Sequence, residues 1–151
     1  MKQIIFLSAI ALALTGCSLT PQKAPICSGN LLRGCQPVVY FDLNSTKLSA
    51  ETKQNLNWAT SKMKRWPSKH IKLTGHADWH GEPDKNLNLS KKRALAVKNY
   101  MVEQGINADR IVIEFKGETT PVCYTGSCQH LNRRVESQIY APYGGWVINE
   151  K

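Results

Sequence analysis

The sequence predicts an α/β (α+β) sandwich in which helices pack on one face of a sheet. Short apolar runs bounded by turn residues indicate strands. Two longer segments carry apolar residues at steps of three and four, which is typical of helices with one buried face. The elements follow one another in the order βαβαββ, and such an order fits one layered domain.

The first half of this domain consists of a strand, a helix and a second strand. Residues 37–41 are a short apolar run and predict the first strand. Residues 49–66 predict a helix that Ser49 caps and that Pro67 ends. Residues 70–75 alternate between apolar and polar side chains, which predicts a half-buried strand.

The second half adds a helix and two strands. A polar loop around Pro83 leads to a helix over residues 90–104, which Gly105 stops. Residues 110–116 alternate in strand fashion and predict the third strand. Residues 132–140 offer apolar side chains for the fourth strand.

The first residues predict a lipoprotein signal peptide over residues 1–16. Lys2 gives a positive start, and residues 4–14 form an apolar run that only Ser8 interrupts. That run is shorter than the roughly 20 residues that span a bilayer, and its layout is that of a secretory signal. The sequence Leu-Thr-Gly-Cys, which ends at Cys17, resembles the lipobox of bacterial lipoproteins; the alternative is an ordinary signal with a chance cysteine.

This resemblance implies acylation of Cys17, including a diacylglycerol on its thiol. Because Ser18 is not an aspartate, the lipobox resemblance implies the outer membrane, with the folded domain facing the periplasm. Residues 17–36 combine prolines, glycines and polar residues and predict a lipidated tether. Residues 37–140 form the folded domain, and residues 141–151, with Tyr143 and Trp146, form a C-terminal tail.

The remaining cysteines predict disulfides. They are even in number, and the chain carries an export signal. Short loops favour Cys27–Cys35 and Cys123–Cys128 over the other possible pairings. A zinc site is the alternative, although the spacings are not those of paired Cys-x-x-Cys motifs.

The charge of the chain restricts its partners. The formal net charge is +9, and nucleic acid is the usual partner of so basic a domain. Export excludes nucleic acid, so anionic lipid headgroups or wall carboxylates are the expected counterparts. The chain has no Gly-x-Ser-x-Gly motif, and we expect neither an enzyme nor a cofactor.

Several motifs occur in a fixed order, most of them between Gly75 and Ala94. Within that stretch they are Gly75-His76-Ala77-Asp78-Trp79-His80-Gly81, then Asn86, Leu89-Ser90 and Arg93-Ala94. Phe41-Asp42-Leu43-Asn44 lies upstream, and Asn132-Arg133-Arg134-Val135 lies downstream. This set resembles the family of OmpA-like C-terminal domains, which includes peptidoglycan-associated lipoproteins. The resemblance covers residues 37–140 and implies a mixed four-stranded sheet and non-covalent peptidoglycan binding.

The resemblance also implies a binding site for meso-diaminopimelate, whose free end presents an ammonium beside a carboxylate. It assigns Asp78 to the ammonium and Arg93 to the carboxylate, with Asn44, Asn86 and Arg133 as hydrogen-bonding neighbours. Arginine suits this task because its planar fork binds a carboxylate at two points. We place Arg93 in the first turn of the second helix and expect its replacement, like that of Asp78, to leave the fold intact. The competing interpretation is that Asp78 and Arg93 form only a structural ion pair.

The implied function is an outer-membrane lipoprotein that tethers the outer membrane, or an envelope complex, to the cell wall. The alternative is an assembly component of a secretion, conjugation or pilus machine, with the basic surface and the aromatic tail as its docking face.

Some residues depart from the family pattern. Ala77 replaces a threonine, and Lys85 replaces an aromatic residue. Trp79 either packs over a sugar or peptide or merely covers the loop. The alternation of His76, Asp78 and His80 resembles part of a metal-ligand string, but His76 belongs to the family signature as a structural residue, so we expect no metal.

Overall fold

The computed structural model describes residues 27–28 and 36–142. Two α-helices pack on the sheet. The elements are β1 (Cys27–Ser28), β2 (Gln36–Tyr40), α1 (Ala50–Arg65), β3 (His70–Gly75), α2 (Pro83–Glu103), β4 (Ile111–Phe115) and β5 (Arg134–Tyr140), with short 3-10 helices at Ala108–Arg110 and Gly126–Leu131.

The strand order in the sheet is β1-β2-β5-β3-β4. The pair β3–β4 is parallel and the other pairs are antiparallel. The last of the described strands, which begins at Arg134, therefore lies between β2 and β3. This insertion brings the start of β5 beside the ends of β2 and β3, where Phe41 N donates to Arg133 O and His76 N donates to Arg134 O, both at 2.8 Å.

The predicted α/β sandwich is confirmed, with two differences in its elements. The sheet gains the two-residue strand β1, which lies inside the segment predicted as a tether. The predicted start of the second helix at residue 90 is wrong, because α2 begins at Pro83. Proline fits the first helical position, where the missing N–H has no partner to lose. The first turns of α2 are mostly polar, so apolar periodicity does not indicate them.

The core lies between the sheet and the two helices. Ser49 caps α1 by accepting a hydrogen bond from Thr52 N at 3.1 Å. The core side chains come from both layers and are Val39, Phe41, Leu56, Ala59, Met63, Ile71, Leu73, Val97, Met101, Ile106, Ile111 and Val135. Apolar burial of this kind contributes about 25 cal/mol per Å² of surface removed from water.

Gly75 sets the distance between β3 and α2. A Cβ placed on Gly75 would lie 2.1 Å from the backbone oxygen of Ser90 and 3.3 Å from the Cβ of Ala94. Only glycine permits so close an approach, because the helix backbone itself fills the space of a side chain. The predicted motif Gly75…Ser90…Ala94 therefore describes one packing contact.

One predicted disulfide is present, and several predicted features lie outside the described residues. Cys123 and Cys128 are joined. Residues 1–26, 29–35 and 143–151 are not described, so the signal peptide, the lipidated Cys17, the partner Cys35 of Cys27 and the aromatic tail stay predictions. Within the described ranges, no helix has the length and apolar character needed to cross a membrane.

We predict that Gly75→Ala destabilises the domain by about 1–3 kcal/mol, which is the usual cost of overpacking a core. Urea unfolding should show a lower midpoint. The control is Gly126→Ala, because a Cβ at Gly126 meets no atom within 4 Å. Equal unfolding midpoints for the two variants would contradict the role of Gly75.

Candidate functional site

The candidate site lies at the edge of the sheet where β2 and β3 end and β5 begins. The loop after β2, the loop after β3 and the N-terminal half of α2 meet there. Asn44 lies in the first loop with φ 52°, a left-handed conformation that asparagine tolerates better than most residues. The loops therefore carry the polar side chains, and the sheet fixes where the loops start.

Arg93 is a buried cation at the centre of this edge. It is 0% exposed, and its guanidinium donates to the backbone carbonyls of Ser45 at 3.0 Å, His76 at 3.0 Å and Asp42 at 3.1 Å. The Phe41 ring centroid lies 5.3 Å from the guanidinium carbon. Arg93 thus joins the loop after β2 to the loop after β3.

The charge of Arg93 persists at neutral pH. Burial lowers its pKa to about 10, and the nearby Asp78 carboxylate opposes that shift. A pKa of about 10 leaves the guanidinium protonated at pH 7. The site therefore contains a fixed positive charge beside a carboxylate.

The placement of Arg93 corrects two expectations. Because α2 begins at Pro83, Arg93 lies near the middle of the helix and not in its first turn. The backbone N–H groups that lack an intrahelical partner are those of the first turn, at Asp84 and Lys85, and not those near Arg93. Removing the Arg93 side chain would also leave three backbone carbonyls without this donor, of which that of His76 is buried. We therefore expect the loss of Arg93 to destabilise the fold, contrary to the expectation of an intact fold.

Asp78 pairs with Arg133 and His80. Its Oδ2 lies 3.0 Å from Arg133 Nη1 and 3.4 Å from His80 Nδ1. The Asp78 side chain is 3% exposed, whereas that of Arg133 is 17% exposed. Arg133 Nε also donates to Phe41 O at 3.0 Å. The interpretation of Asp78 and Arg93 as a direct ion pair is therefore wrong: the residues interact through charge, and each has other partners.

A cleft of about 730 Å³ opens beside this charged cluster. Asn44 and Asn86 are in its wall, and His80, the partner of Asp78, is another lining residue. The basic side chains of Lys85 and Lys92 also line it. The cleft is thus basic, with one buried carboxylate directly behind His80.

The structure brings the predicted site residues into two groups. Asn44 and Asn86 line the cleft, whereas Asp78, Arg93 and Arg133 form the charged cluster beside it. Sequence reasoning missed the cationic wall. A helix that starts at Pro83 places residues 85, 88, 89 and 92 on one face by their spacing of three and four, so the proline was the signal for this wall.

Asn86 connects the cleft to the loop after β4. It is buried, and its Nδ2 donates to Glu118 Oε2. Its backbone N–H donates to Glu82 O at 2.9 Å, at the first turn of α2. Gly117 and Glu118 belong to the same loop, and Gly117 O accepts from Ala77 N at 2.7 Å. The loop after β4 therefore also holds the site in place, in addition to the loops after β2 and β3.

His76 lies in the loop after β3, and its role is structural. It is 4% exposed, and its Nδ1 lies 3.0 Å from the Thr120 hydroxyl. Its Nε2 is buried without a hydrogen-bond partner, 4.0 Å from Glu136 Oε2. Burial lowers the pKa of His76 to about 4, with a further lowering by Arg134 that Glu136 opposes.

The metal-ligand alternative has no geometric support in the described part of the chain. His76 contacts Thr120, whereas His80 lines the cleft and contacts Asp78. In residues 27–28 and 36–142, no three His, Cys, Asp or Glu side chains come together in a way that could hold a metal ion.

Comparison with known proteins identifies relatives of this domain. Residues 40–134 match the profile of the OmpA family. A peptidoglycan-associated lipoprotein of Agrobacterium fabrum is 35% identical over 98 residues, which is 64% of this chain and 55% of that protein. Outer membrane protein A of Bordetella avium is 33% identical over 102 residues, 66% of this chain and 53% of that protein. The chain thus spans about half the length of these curated relatives.

Solved structures agree with the sequence matches. The peptidoglycan-associated lipoprotein of Burkholderia pseudomallei aligns with a TM-score of 0.65 at 27% identity, over 68% of this chain and 89% of that one. The OmpA-like domain of FopA1 from Francisella tularensis aligns with a TM-score of 0.64 at 22% identity, over 80% and 92%. The second likeness shows the fold alone.

We predict that the stability of the domain falls as the pH drops from about 6.5 to about 4. In this range the His76 side chain binds a proton in the unfolded state, whereas the buried side chain of the folded state stays neutral. The shift corresponds to about 3 kcal/mol at most. Urea unfolding across this range should give a shallower pH dependence for His76→Gln than for the wild type. The control is His130→Gln, because His130 is exposed and this variant should keep the pH dependence of the wild-type stability. If His76→Gln also kept the wild-type pH dependence, His76 would not be its source.

Proposed function

Because the chain belongs to the OmpA family, we propose that it is an envelope protein that binds peptidoglycan non-covalently through the meso-diaminopimelate of the stem peptide. The observation that carries this proposal is the basic cleft beside the buried Asp78. Two relatives with this domain are named peptidoglycan-associated lipoproteins. Binding requires no reaction, and the proposal includes none.

The ligand's zwitterionic end requires an anion and a cation a few ångströms apart. Asp78 is the anion in this proposal, and it receives the ammonium. Its carboxylate is held by Arg133 at 3.0 Å, so its position is set before the ligand arrives. Preorganisation of this kind reduces the entropic cost of binding. His80, 3.4 Å from the same oxygen and half-exposed, has to move aside for the ammonium to approach.

The carboxylate of the ligand meets several positive groups. The first turn of α2 contributes Lys85 and Asn86 to the cleft, and Gly81 lies just before the helix. Helix N-termini favour anions. Lys92 lies one to two turns further along the same wall. Arg93 is fully buried, so in this conformation it contributes its charge and its hold on the loops; direct contact with a carboxylate needs a shift of those loops.

Membrane attachment is a separate part of the proposal. The lipobox-like sequence ending at Cys17 supports a lipid anchor in the outer membrane, with residues 17–36 as the tether and the domain in the periplasm. Two or more acyl chains hold a protein stably, whereas one does so only marginally. The chain would then tether the outer membrane, or an envelope complex, to the wall. The alternative role in an assembly machine depends partly on Tyr143 and Trp146, which lie outside the described residues, and it stays a prediction.

We predict that Asp78→Asn weakens binding to diaminopimelate-type peptidoglycan at least tenfold, since removing one partner of a buried charge pair costs about 2–5 kcal/mol. Co-sedimentation with purified sacculi measures the effect. The amide keeps the shape of the carboxylate, so this variant tests charge better than Arg93→Ala.

The matched control for Asp78→Asn is Asp109→Asn, an exposed aspartate at the start of β4 and therefore at the other end of the sheet. A second control is wall material with lysine in place of diaminopimelate, which keeps the ammonium and lacks the carboxylate. Undiminished pelleting of Asp78→Asn, or equal binding to both walls, would rule out the proposed recognition.

We predict that Cys17→Ser releases the protein from the membrane fraction, because it removes the atom that carries the lipid. Fractionation of cells that express the full chain tests this. The Cys128→Ser variant is the control, since the Cys128 sulfur belongs to the Cys123–Cys128 disulfide of the folded domain. Retention of Cys17→Ser in the membrane would contradict the lipid anchor.

A further inference from the structure

A second, smaller cavity lies behind the loop after β3. It has a volume of about 180 Å³, and Trp79 and Tyr124 are among its lining residues. Trp79 is 59% exposed and Tyr124 is 82% exposed. Two large aromatic side chains this exposed at one cavity are informative, because such surface is normally buried or used in binding. We refer to this cavity, which Trp79 and Tyr124 help to line, as the aromatic recess.

The aromatic recess has polar groups among its lining residues. Glu118 contributes a half-buried carboxylate, and Gln129 contributes an amide that is 5% exposed. Gln129 Nε2 donates to Cys123 O at 3.3 Å, which is long for a hydrogen bond. Aromatic walls with a few fixed polar groups form the usual lining of a small-ligand site. A carboxylate and an amide suit hydroxyl and N-acetyl groups, and a ring face suits the apolar C–H face of a sugar.

The loop that carries Tyr124 is held in place. Cys123 and Cys128 close it with a disulfide. Asn132, 1% exposed, accepts from Val122 N at 2.8 Å and from Cys123 N at 3.1 Å, and its Nδ2 donates to Cys123 O at 2.7 Å. A loop so constrained loses little freedom when a ligand binds. The disulfide thus has a consequence for binding as well as for stability.

The aromatic recess lies next to the proposed wall site. Trp79 lies between Asp78, the proposed ammonium ligand, and His80, which lines the basic cleft. The rings of Trp79 and His80 are 5.5 Å apart. On the other side, the hydrogen bond from Asn86 to Glu118 joins a residue of the cleft to a residue of the recess. A ligand in the cleft therefore has its other parts close to the recess.

Resting on the proposed peptidoglycan binding, we propose that the aromatic recess binds an N-acetylated hexosamine ring of the glycan strand, with Trp79 and Tyr124 against the apolar face of the sugar. The glycan is the one component of the wall that offers both a pyranose face and amide and hydroxyl groups. This site gives the exposed Trp79 a specific role in the contact with the wall.

The test compares two probes for the full chain in detergent, by isothermal titration calorimetry. One probe is a disaccharide tripeptide, N-acetylglucosaminyl-N-acetylmuramyl-L-Ala-γ-D-Glu-meso-diaminopimelate, and the other is the same tripeptide without sugars. We expect the wild type to bind the sugar-bearing probe about tenfold more tightly, which corresponds to about 1.4 kcal/mol. Trp79→Ala and Tyr124→Ala should lose this difference and keep the affinity for the free tripeptide.

The matched control is Trp66→Ala. Trp66 is also exposed, at 43%, but it follows α1 at the opposite end of β3. This variant should keep the wild-type preference for the sugar-bearing probe. Equal wild-type affinity for both probes would overturn the glycan site and leave peptide recognition standing. Binding of neither probe would overturn the proposed function and the glycan site together.

Discussion

The buried guanidinium of Arg93 is the interaction on which the rest of the site depends. A cation removed from water is tolerated only when its donors are satisfied, and here backbone carbonyls of two separate loops satisfy them. The loop after β2 and the loop after β3 must therefore close on the same side chain. The close contact of Gly75 with the backbone of Ser90 brings α2 near enough for this to happen.

The same interaction decides how the charges at the site are distributed. Because Arg93 is occupied by carbonyls, Asp78 finds its partner in Arg133, which comes from the start of β5. Arg133 is also tied to Phe41 O at the end of β2. The carboxylate is consequently held by Arg133, which is itself fixed by the residue that follows β2. A site supported in this way keeps its geometry without a ligand.

The loop after β3 separates three environments within a few residues. His76 faces Thr120 and Glu136 and is held neutral by burial. Asp78 and His80 belong to the charged side that contains the basic cleft. Ala77 and Trp79 line the aromatic recess. One short segment thus places a charged surface and an apolar surface side by side, which suits a polymer that has both a zwitterionic peptide and a sugar backbone.

The sequence by itself determined the order of the main elements, the Ser49 cap and the glycine at the end of β3, because periodicity and local motifs carry that information. The polar residues proposed for the site came from the resemblance to the OmpA family. The apolar periodicity predicted a second helix that starts too late, because the first turns of α2 carry mainly polar residues, which face solvent and the cleft. Only the tertiary structure decided which charges pair. The partnership of Asp78 with Arg133, 55 residues later in the chain, follows from the insertion of β5 between β2 and β3, and the burial of Arg93 follows from loops that close around it. These are long-range contacts, and no local pattern of residues encodes them.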